Sequence, residues 1–184
     1  MRTESAHRLE GGPSDGHSHG HSHGSGDAGH DHPIVALSPE EVEQALSAAD
    51  LVCARRRTRL TASRRLVLSL ILGASEPPTA YALLDRLREQ GLNAAPPTVY
   101  RALDFLIENG LVHRVESRSA YIACTAPHQT HAFQHLICRC CGLVTEMVTV
   151  SITQAITDAS AELGFKAERQ TVEVFGLCRN CAPS

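Results

Sequence analysis

Two short cysteine runs, Cys138-Arg139-Cys140-Cys141 and Cys178-Arg179-Asn180-Cys181, carry the clearest chemistry in this chain. Pairing Cys138 with Cys141 and Cys178 with Cys181 gives two C-x-x-C motifs separated by 36 residues. Four thiolates suit a closed tetrahedral structural zinc site, with each pair chelating through a tight turn. Closing that loop ties a terminal strand to the middle of its domain. The gap is longer than in common zinc ribbons, and Cys140 is an extra thiol that competes for a ligand position. A pair of redox disulfides is the alternative use of the same residues.

A second group is scattered more widely: His113, Cys124, His128, His131, His135 and Glu146. His113 and Cys124 lie in two β-like runs, 111–116 and 120–124, joined by Ser117-Arg118-Ser119, so a hairpin brings them close. Imidazole, thiolate and carboxylate together suit a tetrahedral ion, and the sulfur favours zinc over iron or manganese. An open position held by three protein ligands and water would make the site catalytic, whereas four protein ligands make it closed. The ligands come from both halves of the chain, as a metal sensor requires. A third histidine-bearing stretch, 16–24, alternates histidine with glycine and serine and offers at most loose metal binding.

The elements that position these groups are legible from caps and periodicity. Ser38-Pro39-Glu40-Glu41 opens a helix to about Cys53, with an N-cap, a first-turn proline and acids at the positive end of its dipole. A second helix opens at Thr61 and directs Leu66, Leu70, Ile71 and Ala74 inward. A third runs from Thr79 to about Gln90, buries Leu83, Leu84 and Leu87, and stops at Gly91. Pro96-Pro97 opens a fourth, whose Val99, Leu103, Leu106 and Ile107 form one apolar stripe ending at Gly110. Helices followed by a hairpin describe a winged helix-turn-helix, with the fourth helix reading DNA. Beyond it, strands at 135–138 and 143–148, a helix at 150–163 and a strand at 171–177 make a small α/β domain.

The predicted fold is therefore α+β: a winged helix-turn-helix over 34–124 and a small α/β dimerisation and metal-binding domain over 125–184. Residues 1–33 have almost nothing to bury and read as a disordered tail. On the fourth helix, a projection at about 100° per residue puts Arg101 opposite the buried stripe, within the first two turns. There it can donate two hydrogen bonds to a guanine. Thr98 and Tyr100 flank it. Tyr81 opens a stripe with Asp85 and Arg88 on the third helix, and Arg64 and Arg65 are placed for phosphates.

Composition supports this reading once charge is resolved along the chain. The 184 residues are 42% hydrophobic, enough for one large domain or two small ones, and no apolar run approaches a membrane span of about 20 residues. The amino terminus lacks the apolar core of a secretory signal, and seven cysteines without an export signal fit the reducing cytoplasm. The net charge of −3 hides an asymmetry: residues 54–118 hold 11 arginines against 6 acids, and residues 1–53 hold 9 acids against 2 arginines. A basic middle inside an acidic chain fits a DNA-binding module, and a solvated arginine-rich face is the plainer alternative.

The runs LTASRRLVLSLIL, PPTVYRALDFLIENGLVHRVESRSAYIAC, HLICRCCGLVTEM and GLCRNC, in that order, resemble the ferric uptake regulator superfamily and, within it, the zinc uptake regulator branch. The resemblance covers roughly residues 40–181. It implies a dimeric, zinc-dependent repressor of zinc uptake genes that binds double-stranded operator DNA and needs no small-molecule substrate. Position by position, it implies that Cys138, Cys141, Cys178 and Cys181 hold structural zinc. It implies that His113, Cys124, His131 and Glu146 hold regulatory zinc, making two ions per chain, and that Tyr81 and Arg101 contact bases. The third regulatory ligand stays open among His131, His135 and His128, because the family's H-H-x-H run departs here. Iron, manganese and peroxide sensors of the same superfamily are the alternatives, and Cys124 counts against them. Four plausible protein ligands argue against a catalytic zinc enzyme, and a metal-storage protein would have no use for a basic winged helix.

Overall fold

A computed structural model of the chain describes residues 32–33, 36–127 and 133–182. The histidine-rich stretch at 16–24, and the candidate ligands His128 and His131, lie outside the described residues. A two-residue strand β1 (His32–Pro33) comes first, followed by four helices: α1 (Pro39–Arg55), α2 (Ala62–Leu72), α3 (Ala80–Glu89) and α4 (Pro96–Glu108). The hairpin is β2 (Val112–Val115), a 3-10 turn at Glu116–Arg118, and β3 (Ala120–Ala123). The second unit is β4 (Gln134–Cys138), β5 (Val144–Met147), α5 (Val150–Glu162) and β6 (Val172–Gly176).

Local chemistry sets most of these boundaries. The hydroxyl of Ser38 accepts from the Glu41 N–H while the Glu41 carboxylate accepts from the Ser38 N–H at 2.8 Å, a reciprocal cap that starts α1. Thr79 caps α3 by accepting from the Ala82 N–H. Gly91, at φ 78°, ends α3 in a left-handed turn that other residues adopt only with strain. Pro96 and Pro97 open α4, where the first N–H groups have no intrahelical partner to lose.

The four helices pack around one core with Leu83, Leu103 and Leu106 at its centre, and the wing closes it with Val112 and Tyr121. On α2 the inward residues are Val67, Leu68, Ile71 and Leu72. The expected Leu66 and Leu70 are only partly buried against the core, and Ala74 is buried beyond the helix end. The stripe turns because α2 touches α1, α3, α4 and β3 at once and so buries a wide face.

The second unit is a sheet of order β1-β5-β4-β6, with β6 parallel to β4 and the other pairs antiparallel. His32 pairs with Glu146 and Pro33 with Thr145, which corrects the expectation of a disordered tail for these two residues. Edge strand β5 presents unpaired backbone groups, and pairing with β1 satisfies them. A separate apolar cluster joins Val115 and Ile122 of the wing to Ile137 and Val144 of the sheet. The wing is therefore held on both faces: residues of both its strands join the helical core on one face and the sheet on the other.

Candidate metal centres and DNA-reading face

The four cysteines sit where two strands and two turns converge. Cys138 ends β4, Cys141 lies in the turn to β5, Cys178 follows β6, and Cys181 lies in the next turn. Their sulfurs all lie within 4.8 Å of one another, and Cys141 and Cys178 are 3.7 Å apart. Zinc–sulfur bonds of about 2.3 Å in a tetrahedron put sulfurs about 3.8 Å apart, so the arrangement fits zinc. The Cys141 and Cys178 backbone N–H groups donate to the Cys138 sulfur and bring its pKa down to about 6. Cys181 is pushed up, chiefly by its hydrogen bond with Cys140 and then by those with Cys178 and Cys141. Crowded thiols resist losing several protons together unless a cation compensates the charge. Cys140 is exposed and stands at the rim of the group, outside the set of four.

The second centre joins the wing to the sheet. His113 on β2, Cys124 just after β3 and Glu146 on β5 present donor atoms within 4.8 Å of one another. Glu146 is fully buried, and its carboxylate lies 3.8 Å from His113 Nε2. Its other oxygen accepts from the Thr125 N–H at 3.3 Å. Burial, with the Glu146 charge acting in the same direction, pushes the Cys124 thiol up to about 12. A carboxylate, a thiol and an imidazole gathered away from water make a site whose charge a divalent cation would balance.

His135 pairs with Glu146 across β4 and β5 and is fully buried, yet it stands outside this group of three. Its ring centroid is 6.3 Å from that of His113. Burial pulls its pKa down, against the opposing charges of Glu146 and Glu173, and neither ring nitrogen has a hydrogen-bond partner among the described residues.

On α4, Val99, Ala102, Leu103, Phe105 and Leu106 face the core, which leaves Thr98, Tyr100 and Arg101 on the exposed side. Tyr81 is 68% exposed in the first turn of α3. These four side chains are free to approach a duplex. Arg64 and Arg65 are engaged differently. The Arg64 guanidinium stacks 3.5 Å from the centroid of Phe105 and donates to the Arg59 carbonyl, and Arg65 pairs with Glu43 and Asp50 of α1. To hold phosphates they would exchange these contacts for new ones.

Contacts that sequence reasoning missed lie at the wing turn. Glu173 of β6 accepts from the backbone N–H groups of Glu116 and Ser117, at 2.6 and 3.2 Å. Burial opposes its charge, and the hydrogen bonds from Ser117 and Glu116 overcome that, holding the carboxyl below the usual range. Arg118 donates to the carbonyls of Gly142 and Cys138, at 2.8 and 3.3 Å. Arg169 donates to Glu116 at 2.7 Å. No spacing rule reaches across such separations; the one available signal is a glutamate inside an apolar strand.

The ferric uptake regulator family model matches residues 55–175. The zinc uptake regulation proteins of Escherichia coli K12 and Shigella flexneri are each 41% identical over 140 residues, covering 76% of this chain and 82% of theirs. A zinc uptake regulator solved in complex with zinc and DNA aligns with a TM-score of 0.72 at 41% identity, covering 76% of this chain and 93% of that one. The holo form of XcZur aligns with a TM-score of 0.70 at 42% identity, covering 74% and 96%. With this extent of agreement in sequence and in fold, the chain belongs to the ferric uptake regulator family.

Proposed function

We propose that the chain is a zinc-responsive transcriptional repressor that binds operator DNA as a homodimer and represses zinc uptake genes. The observation that carries this reading is the second centre: two of its donors come from the wing and one from the sheet. His113, Cys124 and Glu146 hold the regulatory ion, with His131 as the fourth ligand. Cys138, Cys141, Cys178 and Cys181 hold a structural ion, so each chain takes two zinc ions. An ion held there by His113, Cys124 and Glu146 would tie the wing to the sheet. The thiolate is the feature that favours zinc over iron or manganese.

The chain's own residues do the rest. Residues 34–124 form the DNA-reading unit, where Arg101 and Tyr81 reach bases with Thr98 and Tyr100 beside them. Arg64 and Arg65 serve phosphates only after releasing their present partners. Residues 125–184 form the dimerising unit. Edge strand β6 exposes Val174 and Phe175, with Leu177 just beyond, and α5 buries none of its residues. Such a face fits a second copy of the same chain. Tying the wing to the sheet narrows the orientations of two recognition helices to one that matches two half-sites, so DNA affinity rises without any change in the reading residues. Such a repressor works in the cytoplasm, where the operator is; among the described residues no helix is long and apolar enough to cross a membrane.

The test is DNA-binding anisotropy on the promoter of a zinc-uptake operon while free zinc is titrated in a metal buffer, with iron and manganese as controls. Binding switches on with zinc alone. Arg101→Ala abolishes specific binding without changing zinc content. Cys124→Ser keeps the structural zinc and loses the response. Binding indifferent to zinc, or driven by iron, overturns the reading.

A further inference from the structure

We infer that Arg118, Glu173 and Arg169 are positioning residues for DNA binding, clamping the wing turn onto the cysteine knuckle and onto β6. The inference rests on the repressor reading and adds to it a second tie between the units, separate from the regulatory ligands.

The wing turn is short, and the backbone N–H groups of Glu116 and Ser117 and the guanidinium of Arg118 are directed into the protein. Both carboxylate oxygens of Glu173 receive backbone N–H groups of the turn, from Glu116 at 2.6 Å and Ser117 at 3.2 Å. Hydrogen bonds to a charged acceptor are stronger than neutral ones, and two that converge also fix orientation. Beside them, Arg118 spans the β4–β5 turn, donating to Gly142 and Cys138 carbonyls at 2.8 and 3.3 Å. Gly142 has φ 79°, and a Cβ there would stand 3.4 Å from Arg118 Nη1, so the glycine also leaves room for the guanidinium. Glu116 completes the set, accepting from Arg169 at 2.7 Å and pairing with Arg114 at 3.1 Å.

These contacts lie over an apolar seat of Val115 and Ile122 from the wing and Ile137 and Val144 from the sheet. A seat of four aliphatic residues tolerates sliding, because apolar contact has no preferred direction. Directional hydrogen bonds at the turn remove that freedom. Cys138 supplies both a thiol to the four-cysteine site and a carbonyl to Arg118. The knuckle therefore places the wing, and with it α4, relative to the dimer face. Base reading falls to α4 and α3, and the wing turn acts as a strut.

The experiment uses the full-length, zinc-loaded chain. An operator duplex is selected from a random pool with the wild-type protein, and versions are made with the half-site spacer changed by one and two base pairs. Wild type loses more than about tenfold in affinity when the spacer changes, within the usual range of coupling between sites. The double variant Arg118→Ala, Glu173→Gln keeps its zinc content and dimer mass. It binds the selected spacing about tenfold more weakly and discriminates between spacers by less than about twofold. Arg118→Lys, which keeps one charged donor, restores part of the discrimination. In amide exchange, Glu116 and Ser117 become faster in the double variant. Unchanged spacer discrimination, or unchanged exchange at those two amides, overturns the inference. Loss of zinc in the double variant also overturns it, because Arg118 then supports the metal site rather than the wing. If wild type binds no duplex in zinc, the repressor reading fails by itself, and amide exchange still decides whether the clamp exists.

Discussion

The two units of this chain are stabilised by different means. The helical unit gathers more than twenty buried residues into one cluster that runs from Leu46 in α1 to Tyr121 in the wing. The sheet unit contributes only Ile137 and Val144 to a fully buried cluster, and the other two members of that cluster belong to the wing. Its helix α5 buries nothing, and Phe165, Phe175 and Leu163 stay exposed. A small unit without its own core needs other sources of order. Here these are a four-cysteine site, the hydrogen bonds at the wing turn and, in the proposed dimer, the exposed apolar face of β6. In the proposed reading, the half with its own core reads DNA, and the half that leans on metal and partner decides when and in which geometry it reads.

The largest test of this contrast removes the cysteine site. Structural zinc sites in small domains contribute on the order of 10 kcal/mol to folding. Cys178→Ser, or a strong chelator, should therefore unfold the sheet unit and dissociate the dimer. The helical unit should keep most of its helical circular dichroism and its own thermal transition. A single transition in which both units unfold together would break the comparison.

The converse test weakens the helical unit. Leu106 is fully buried at the centre of the helical core, and Leu106→Ala leaves a cavity that costs about 2–5 kcal/mol. Against a typical total of about 5–15 kcal/mol this is severe. The expected result is a lower urea midpoint for the helical signal with zinc stoichiometry at the cysteine site unchanged. A loss of structural zinc in this variant would mean that the two units fold as one.

At the junction between the units, pH provides a finer probe. The Cys124 thiol is pushed up to about 12, so in the metal-free protein it keeps its proton at neutral pH. A zinc ion that takes this sulfur as a thiolate expels the proton, and affinity rises with pH by about tenfold per unit for each proton released. Calorimetry in buffers of different ionisation enthalpy counts the protons. Wild type should release one more than Cys124→Ser at the regulatory site. An equal count would remove Cys124 from the ligand set.

What the sequence revealed divides along the same line. Caps, prolines and glycines act within a few residues, so Ser38, Thr79, Pro96 and Gly91 made the helices readable. The cysteine pairs were readable because chelation imposes C-x-x-C spacing. His113, Cys124 and Glu146 needed the hairpin and the β4–β5 register to come together; the hairpin brought His113 close to Cys124, and only the family resemblance separated this set from the neighbouring histidines. The Glu173 and Arg118 contacts bridge 57 and 24 residues and were not readable at all. They depend on how two units dock, which no local pattern encodes. The tail expectation failed at His32 and Pro33 for a related reason: an open sheet edge recruits whatever backbone lies near it.

The smallest expected effect lies at the start of α1. Ser38 and Glu41 satisfy each other's backbone N–H groups at the start of α1, and hydrogen bonds from Ser38 hold the Glu41 carboxyl below the usual range. Ser38→Ala leaves the Glu41 N–H to water and costs about 0.5–2 kcal/mol. Because α1 joins the helical core through Leu46, Ala49, Val52 and Cys53, the loss should lower the thermal midpoint of that unit by a few degrees. The capping bonds run between Ser38 and Glu41 and involve none of the candidate metal ligands or wing-turn residues, so zinc affinity, dimerisation and spacer discrimination should not move. A change in any of these would show that stability lost at α1 reaches the sheet, and the two units would then be one cooperative body with two kinds of surface.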